Sequence, residues 1–192
     1  MAKKTVTQKE TISLEEAKRA VEITSRRLGL LHLSFARTLV DELGGKKGKE
    51  LIMKAIKDYG RRIGKEVREG VIDQGLDPIP ENYGAGKSRD LPEFGMNEGR
   101  ERVEINGEKK MRVYGCAMAK VWNEYGEDKL GRLYCYVDPA KYMTFNPNFK
   151  LVHIKASPDG DEYCELTVRP TMEQDRKDFA AKDTDLSRID KV

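Results

Sequence analysis

Apolar residues recur at steps of three and four along the first part of the chain, which is the spacing of one helical face. The series consists of Ala17, Val21, Thr24, Leu28, Leu31, Phe35 and Leu39. Ser13 and Glu16 ahead of it match a capping box, and Gly44 with Gly45 after it favours a stop. We therefore predict a helix over residues 13–43 that buries this face, and we leave a break near Gly29 open.

A second helical stripe follows from about Gly48 to Glu69. Its apolar positions are Ile52, Ile56, Tyr59, Ile63 and Val67. Because only a short glycine-lysine loop separates the two helices, we expect them to pack antiparallel as a helical hairpin over residues 13–70. Gly60 and Gly64 lie one helical turn apart, and they predict a close approach of a neighbouring element.

The pattern changes to short alternating segments in the second half of the chain. Residues 71–100 are rich in proline and glycine and predict a long loop. Alternation on both sides of Asn106-Gly107 predicts one β-hairpin, and the turn at residues 158–161 predicts a second hairpin between 149–156 and 163–168. A short amphipathic helix fits residues 116–125, and Leu133–Val137 has the form of a short strand.

These elements together predict an α+β fold, with the N-terminal helical hairpin packed on a small, mostly antiparallel sheet. We expect one domain over residues 13–170, made of the helical hairpin (13–70), the long loop (71–100) and the hairpins with the short helix (101–170). Polar segments flank this domain at 1–12 and 171–192. In the second segment we expect no more than a weakly docked helix.

Charge and composition limit the classes of function. The chain has 36 basic and 33 acidic residues that alternate along its length, with a net charge of +3, which argues against nucleic acid as a partner. The sequence contains no long apolar run and begins with polar residues, so we expect a cytoplasmic protein without a membrane partner. Its three cysteines lack a CxxC spacing, and we expect free thiols without a metal or a cofactor.

Only two histidines are available for acid-base chemistry, His32 and His153. His32 lies at the edge of the first helical stripe, where a hydrogen-bonded structural histidine is favoured over a catalytic one. Strand alternation puts His153 on the face opposite Val152, and this pattern is typical of a solvent-facing residue.

Cysteine and carboxylate side chains are the other candidates. Cys135 ends a strand-like run three residues before Asp138, and it is a better candidate for a reactive thiol than Cys164, whose alternation indicates burial. Asp138 could act as a base on water, or it could cap the turn that begins at Pro139. Asp161 could do the same, or it could serve only the turn that contains it.

The order of these residues resembles the L-2-amino-thiazoline-4-carboxylic acid hydrolase family over roughly residues 28–168. The similar segments are His32, Leu39, Tyr59–Gly64, Cys116 with Trp122 and Tyr125-Gly126, Leu133–Asp138, Phe145–Pro147 and Gly160–Leu166. The family is associated with hydrolysis of a cyclic 2-amino-thiazoline to S-carbamoyl-cysteine, so the resemblance implies a small-molecule substrate. It implies catalytic roles among Cys135, Asp138, His32 and Cys164, and substrate contacts among Arg61, Arg62, Tyr59, Cys116 and Asp161.

In that scheme Cys135 or Asp138 activates the nucleophile, His32 transfers a proton, and Arg61 or Arg62 contacts the substrate carboxylate. An alternative is a non-catalytic small-molecule-binding or sensor domain, because the predicted fold also resembles 4-vinyl-reductase-like ligand-binding domains. A homodimer is compatible with the chain, although no motif points to one. The true substrate and the division of these residues between catalytic and structural roles stay open.

Overall fold

The computed structural model describes residues 11–182 and 185–191, except for the side chains of 87–89, so most of the predicted N-terminal arm lies outside the described residues. The fold is α+β. Its helices are α1 (Leu14–Ile72), α2 (Ala117–Glu124), α3 (Asp128–Cys135), α4 (Val137–Phe145) and α5 (Glu173–Ala180). Its strands are β1 (Gly99–Ile105), β2 (Glu108–Tyr114), β3 (Phe149–Lys155) and β4 (Cys164–Pro170). Short 3-10 helices cover Pro80–Arg89, Ser157–Asp159 and Leu186–Arg188.

Helix α1 is bent into two arms, residues 14–43 and 45–72, because Gly44 has non-helical angles (φ 78°, ψ 157°). The capping box is confirmed, since Glu16 N donates to Ser13 Oγ at 3.2 Å and Ser13 N donates to the Glu16 carboxylate at 3.0 Å. A Cβ added at Gly48 would lie only 2.7 Å from Val40 Cα, so the chain reverses at the bend. The helical hairpin is therefore confirmed.

The four strands form one antiparallel sheet in the order β1-β2-β4-β3. Both predicted hairpins are present, and Asn106 and Gly107 have φ angles of 54° and 76°, as the two-residue turn requires. In the centre of the sheet Val113 of β2 pairs with Cys164 of β4, and Leu166 of β4 pairs with His153 of β3. One face of the sheet thus carries Cys164 and His153 toward the helices.

The prediction of a strand over Leu133–Val137 is wrong. These residues end α3 and begin α4, and the two short helices are separated only by Tyr136. The apolar run reflects burial of Tyr134 and Val137 in the main core (6% exposed each) rather than strand alternation. Asp138 consequently lies inside the first turn of α4 instead of following a strand.

Helix α4 packs against the second arm of α1 and against β3. Gly60 and Gly64 provide the close approach that the sequence predicts: a Cβ at Gly60 would lie 2.6 Å from that of Ala140, and one at Gly64 would lie 2.9 Å from Thr144 Cβ. The short helix α2 is also confirmed, with Trp122 only 1% exposed. These contacts fix α4 between the helical hairpin and the sheet.

Two expectations about burial differ from the structure. The predicted face of the first arm is only partly covered, because Leu31 and Phe35 are 53% and 65% exposed while Leu33 and Ala36 are buried instead. The C-terminal segment, in contrast, is firmly packed: Leu186 and Ile189 are completely buried in the main core. Among the described helices none has the length and apolar character needed to cross a bilayer.

Candidate active site

A cavity of about 180 Å³ lies between the sheet, helices α3 and α4, and the loop before β1. The sheet contributes His153 and Cys164, and the helices contribute Cys135, Asp138 and Lys141. Cys116, the residue before α2, also lines it, so three cysteines face one space. The remaining lining is mostly apolar and aromatic, and includes Met111, Val113, Trp122, Tyr134, Tyr142, Leu151 and Leu166.

His153 is the centre of a buried charge network. Its Nδ1 lies 3.1 Å from Asp190 Oδ1, its Nε2 lies 3.4 Å from Asp138 Oδ2, and its side chain is only 5% exposed. Burial disfavours the charged ring, but the hydrogen bonds with the two carboxylates outweigh it and raise the pKa of His153 to about 9. The ring is therefore an imidazolium at neutral pH.

Asp138 connects this histidine to Lys141. The lysine Nζ lies 3.0 Å from Asp138 Oδ1 and 3.1 Å from Asp90 Oδ2, and Tyr83 donates its hydroxyl to the same oxygen of Asp90 at 3.0 Å. Burial opposes ionisation of Asp138, but Lys141 and His153 overcome it and hold the pKa of Asp138 far below its usual value. The Asp138 carboxylate is thus ionised and lies at the cavity wall.

Asp190 holds the other side of the histidine. Its carboxylate is completely buried, accepts a hydrogen bond from the backbone N–H of His153 at 2.8 Å, and pairs with Arg132 at 2.7 Å. Arg132 also pairs with Asp159 at 2.8 Å and lies over the ring of Tyr136. The C-terminal segment therefore supplies a charge that orients the histidine and fixes which ring nitrogen faces Asp138.

Two of the three thiols that line the cavity, those of Cys135 and Cys116, have raised pKa values. Burial raises the pKa of Cys135 well above its usual value, although the nearby Arg132 charge favours the thiolate. Burial also raises the pKa of Cys116, although backbone amides of Ala119 and Met118 act in the opposite direction. Cys164 accepts a hydrogen bond from Ser157 N at 3.3 Å. Cys135 and Cys116 are thus neutral thiols at pH 7.

The structure brings together only some of the residues singled out from the sequence. Cys135, Asp138, Cys164 and Cys116 line the cavity. His32 lies behind its wall, with Nε2 2.9 Å from Leu130 O and the ring packed against Trp122 and Tyr134. Its contacts are those of a structural histidine.

Four other candidates also lie away from the cavity lining. Tyr59 packs its ring against that of Tyr134 at 6.1 Å, and Asp161 accepts a hydrogen bond from Ala156 N within its turn at 2.9 Å. Arg61 lies over Phe179 on the outer side of α1, and exposed Arg62 pairs with Asp58 at 2.9 Å. None of these four side chains faces the cavity.

Sequence reasoning missed His153, Lys141 and Asp190. The prediction that His153 faces solvent is wrong, because the cavity lies on its side of β3 while Val152 on the other side is also completely buried. The Asp138-Lys141 spacing of three within a helix was a usable signal for an ion pair. Nothing local to Asp190 marks it, since its partners lie 37 and 58 residues earlier.

A comparison with models of protein families gives one result that covers most of the chain. The model described as L-2-amino-thiazoline-4-carboxylic acid hydrolase matches residues 25–168. The chain belongs to this family. Neither a curated protein nor a solved structure shows a significant match to it. The matched residues contain Asp138, Lys141, His153 and the three cysteines, whereas Asp190 lies beyond them.

Proposed function

We propose that this protein is a hydrolase that opens the C–N bond of a cyclic amidine, with a 2-amino-thiazoline-4-carboxylate as the type of substrate. The observation that carries the proposal is the ionised Asp138-His153 pair at the wall of a small, mostly apolar cavity. Such a cavity suits a small molecule, and the pair offers both a hydrogen-bond acceptor and a proton donor.

Water is the proposed nucleophile, because the thiols of Cys135 and Cys116 stay protonated at neutral pH. Nε2 of His153 gives its proton to the ring nitrogen while the water oxygen adds to the carbon between nitrogen and sulfur. Asp138 accepts the proton that the water loses, because loss of the His153 charge removes part of what holds the pKa of Asp138 low. Transfer of this proton from Asp138 to Nε2, across 3.4 Å, restores both groups. In a second round the hydroxyl proton of the adduct passes to Asp138, the carbon–oxygen double bond forms, and the carbon–nitrogen bond breaks as the departing nitrogen takes a second proton from Nε2. One water is consumed, and the product keeps the exocyclic nitrogen in a carbamoyl group on sulfur.

Arg100 is the proposed contact for the substrate carboxylate. It lines the cavity and also an open groove between the first arm of α1 and the loop before β1. Its side chain forms an ion pair with Glu93 and is 44% exposed. A guanidinium in this position can exchange its own carboxylate partner for that of a substrate. Arg61 and Arg62 lie on another side of the molecule.

The test is turnover of 2-amino-thiazoline-4-carboxylate, followed by mass spectrometry of the ring-opened product. We expect Asp138→Asn to lower kcat by about a hundredfold or more, since removal of a general base typically costs this much. Arg100→Gln should raise KM by about tenfold, with a smaller effect on kcat.

The controls are Asp58→Asn, at an exposed aspartate on another surface, and Arg37→Gln, at an arginine whose exposure (47%) is close to that of Arg100 (44%). Both should keep wild-type kinetics. Binding without turnover by the wild-type protein would overturn the hydrolase and support the ligand-binding alternative. Wild-type kinetics in Asp138→Asn would overturn the proposed role of the pair.

A further inference from the structure

The first arm of α1 has a regular apolar seam that the rest of the chain covers only in part, since Ala17 and Val21 are half-buried and Leu28 packs at the edge of the main core. Its positions follow strict steps of three and four: Leu14, Ala17, Val21, Thr24, Leu28, Leu31, Phe35 and Thr38. Leu14, Leu31 and Phe35 are 63%, 53% and 65% exposed. The arm contacts its own core mainly through a neighbouring face, at Ser25, Gly29, Leu33 and Ala36. We use "seam" below for this set of positions.

The spacing of the seam is that of a coiled coil rather than of a helix on a globular core. A helix on a core shows a wider apolar face, whereas a repeat of two apolar positions every seven residues forms a narrow line that suits a second helix. In the register proposed below, residues 23–43 of the two arms lie side by side over about 30 Å at 1.5 Å per residue, which is enough for four layers of interdigitating side chains. This accounts for a predicted buried face that is exposed in the monomer.

We propose that the protein is a homodimer in which the part of the seam from Leu28 to Thr38 packs antiparallel against the same part of a second copy, around a two-fold axis near Ser34. In this register Leu31 packs against the partner's Phe35, and Leu28 packs against the partner's Thr38. The largest exposed apolar side chains then meet at the centre. The two copies use the same surface, as a two-fold interface requires.

Charge at the edge of the seam selects the antiparallel direction. Residues 27, 34 and 41 lie along one edge of the seam. In this register Arg27 faces the partner's Asp41, and Ser34 faces the partner's Ser34. Asp41 is exposed and makes only a long contact of 3.8 Å with Arg37. In a parallel pair Arg27 would instead face the position of His32, whose ring points into its own chain toward Leu130 O. The antiparallel pair is thus the complementary one.

The test is the mass of the full chain by analytical ultracentrifugation over a range of concentrations. We expect twice the chain mass of 21.9 kDa for the wild type. Phe35→Glu should weaken the dimer by about a hundredfold, because it places a charge at the centre of the seam. Ile72→Glu is the matched control at an apolar residue of similar exposure (49%) outside the seam, and it should leave the dimer intact.

Two further variants test direction. Arg27→Asp should weaken the dimer by about tenfold, and the double variant Arg27→Asp/Asp41→Arg should restore it. Ser34→Cys should form a disulfide-linked dimer on oxidation, whereas Ala20→Cys, about 21 Å farther along the helix, should not. A monomeric wild type, or a dimer that Phe35→Glu leaves unchanged, would overturn the proposal. These measurements need no substrate, so their outcome is independent of the hydrolase proposal.

Discussion

Replacement of His153 by glutamine tests the charge network most directly. The change removes the cation between Asp138 and Asp190, whose side chains are 21% and 0% exposed. The two carboxylates then share a buried space without the charge that separates them. Glutamine keeps hydrogen-bonding groups of similar reach, so the main effect is the loss of charge.

Two independent magnitudes give the expected cost. Breaking a buried ion pair by removal of one partner typically costs about 3–5 kcal/mol. A rise in the pKa of His153 from 6.5 to about 9 corresponds to about 3 kcal/mol, at 1.36 kcal/mol per pKa unit. We therefore expect His153→Gln to lower the free energy of unfolding by about 3 kcal/mol at pH 6.

The pH profile of the wild type gives a separate signature. Because the folded-state pKa of His153 lies above the unfolded value, its stabilisation is complete below pH 6.5 and is lost as the pH rises to about 9. Urea unfolding at several pH values should show this decline in the wild type. The decline should be absent in His153→Gln, which should therefore differ from the wild type most at the acidic end of the window.

His32→Gln is the matched control. Burial lowers the pKa of His32, so its titration lies below the window from pH 6.5 to 9, and this variant should keep the wild-type decline. Its loss of one hydrogen bond to Leu130 O should cost about 1 kcal/mol. A wild-type stability that is flat between pH 6.5 and 9, or a His153→Gln protein within 1 kcal/mol of the wild type at pH 6, would refute the reasoning.

Two more predictions follow from close packing and from burial. Gly64→Ala should destabilise the protein by about 1–3 kcal/mol in urea unfolding, because its methyl group would collide with α4. Gly45→Ala, which has open space around it, should not destabilise the protein, and equal stabilities of the two variants would contradict the packing. Cys135 and Cys116 should react with iodoacetamide at pH 7 at least about tenfold more slowly in the folded protein than in urea, because burial raises the pKa of both thiols. Mass spectrometry follows the reaction, and equal rates in the two conditions would contradict the conclusion that both thiols are neutral.

Local signals in the sequence predicted the local structure well. The capping box at Ser13, the bend at Gly44 and the turn at Asn106-Gly107 each depend on residues within a few positions, so their chemistry can be inferred from the sequence alone. The close approach at Gly60 and Gly64 was also predictable, because only a neighbouring backbone explains two glycines on one helical face. The identity of that neighbour, α4, was not.

The errors have a common physical cause. Leu133–Val137 is a short apolar run, and such a run fits a buried strand and a buried helix equally well. Alternation predicts a solvent-facing His153 only where one face of β3 is exposed. Both faces are covered, one by the cavity elements and the other by the C-terminal segment, where Lys150 pairs with Asp175 at 3.0 Å. Burial created by a distant segment leaves no periodic signal.

The balance of charge at the candidate site shows why its residues must be considered as a set. Three carboxylates, those of Asp90, Asp138 and Asp190, alternate with Lys141, His153 and Arg132. Each charge has neighbours of opposite sign, so a change at one position alters the protonation of the next. Asp190 lies beyond the residues that match the family, yet it holds one side of His153. The protonation state of the proposed donor therefore depends on the packing of the C-terminal segment, and a variant that loosens this segment should change the pH profile of activity as well as stability.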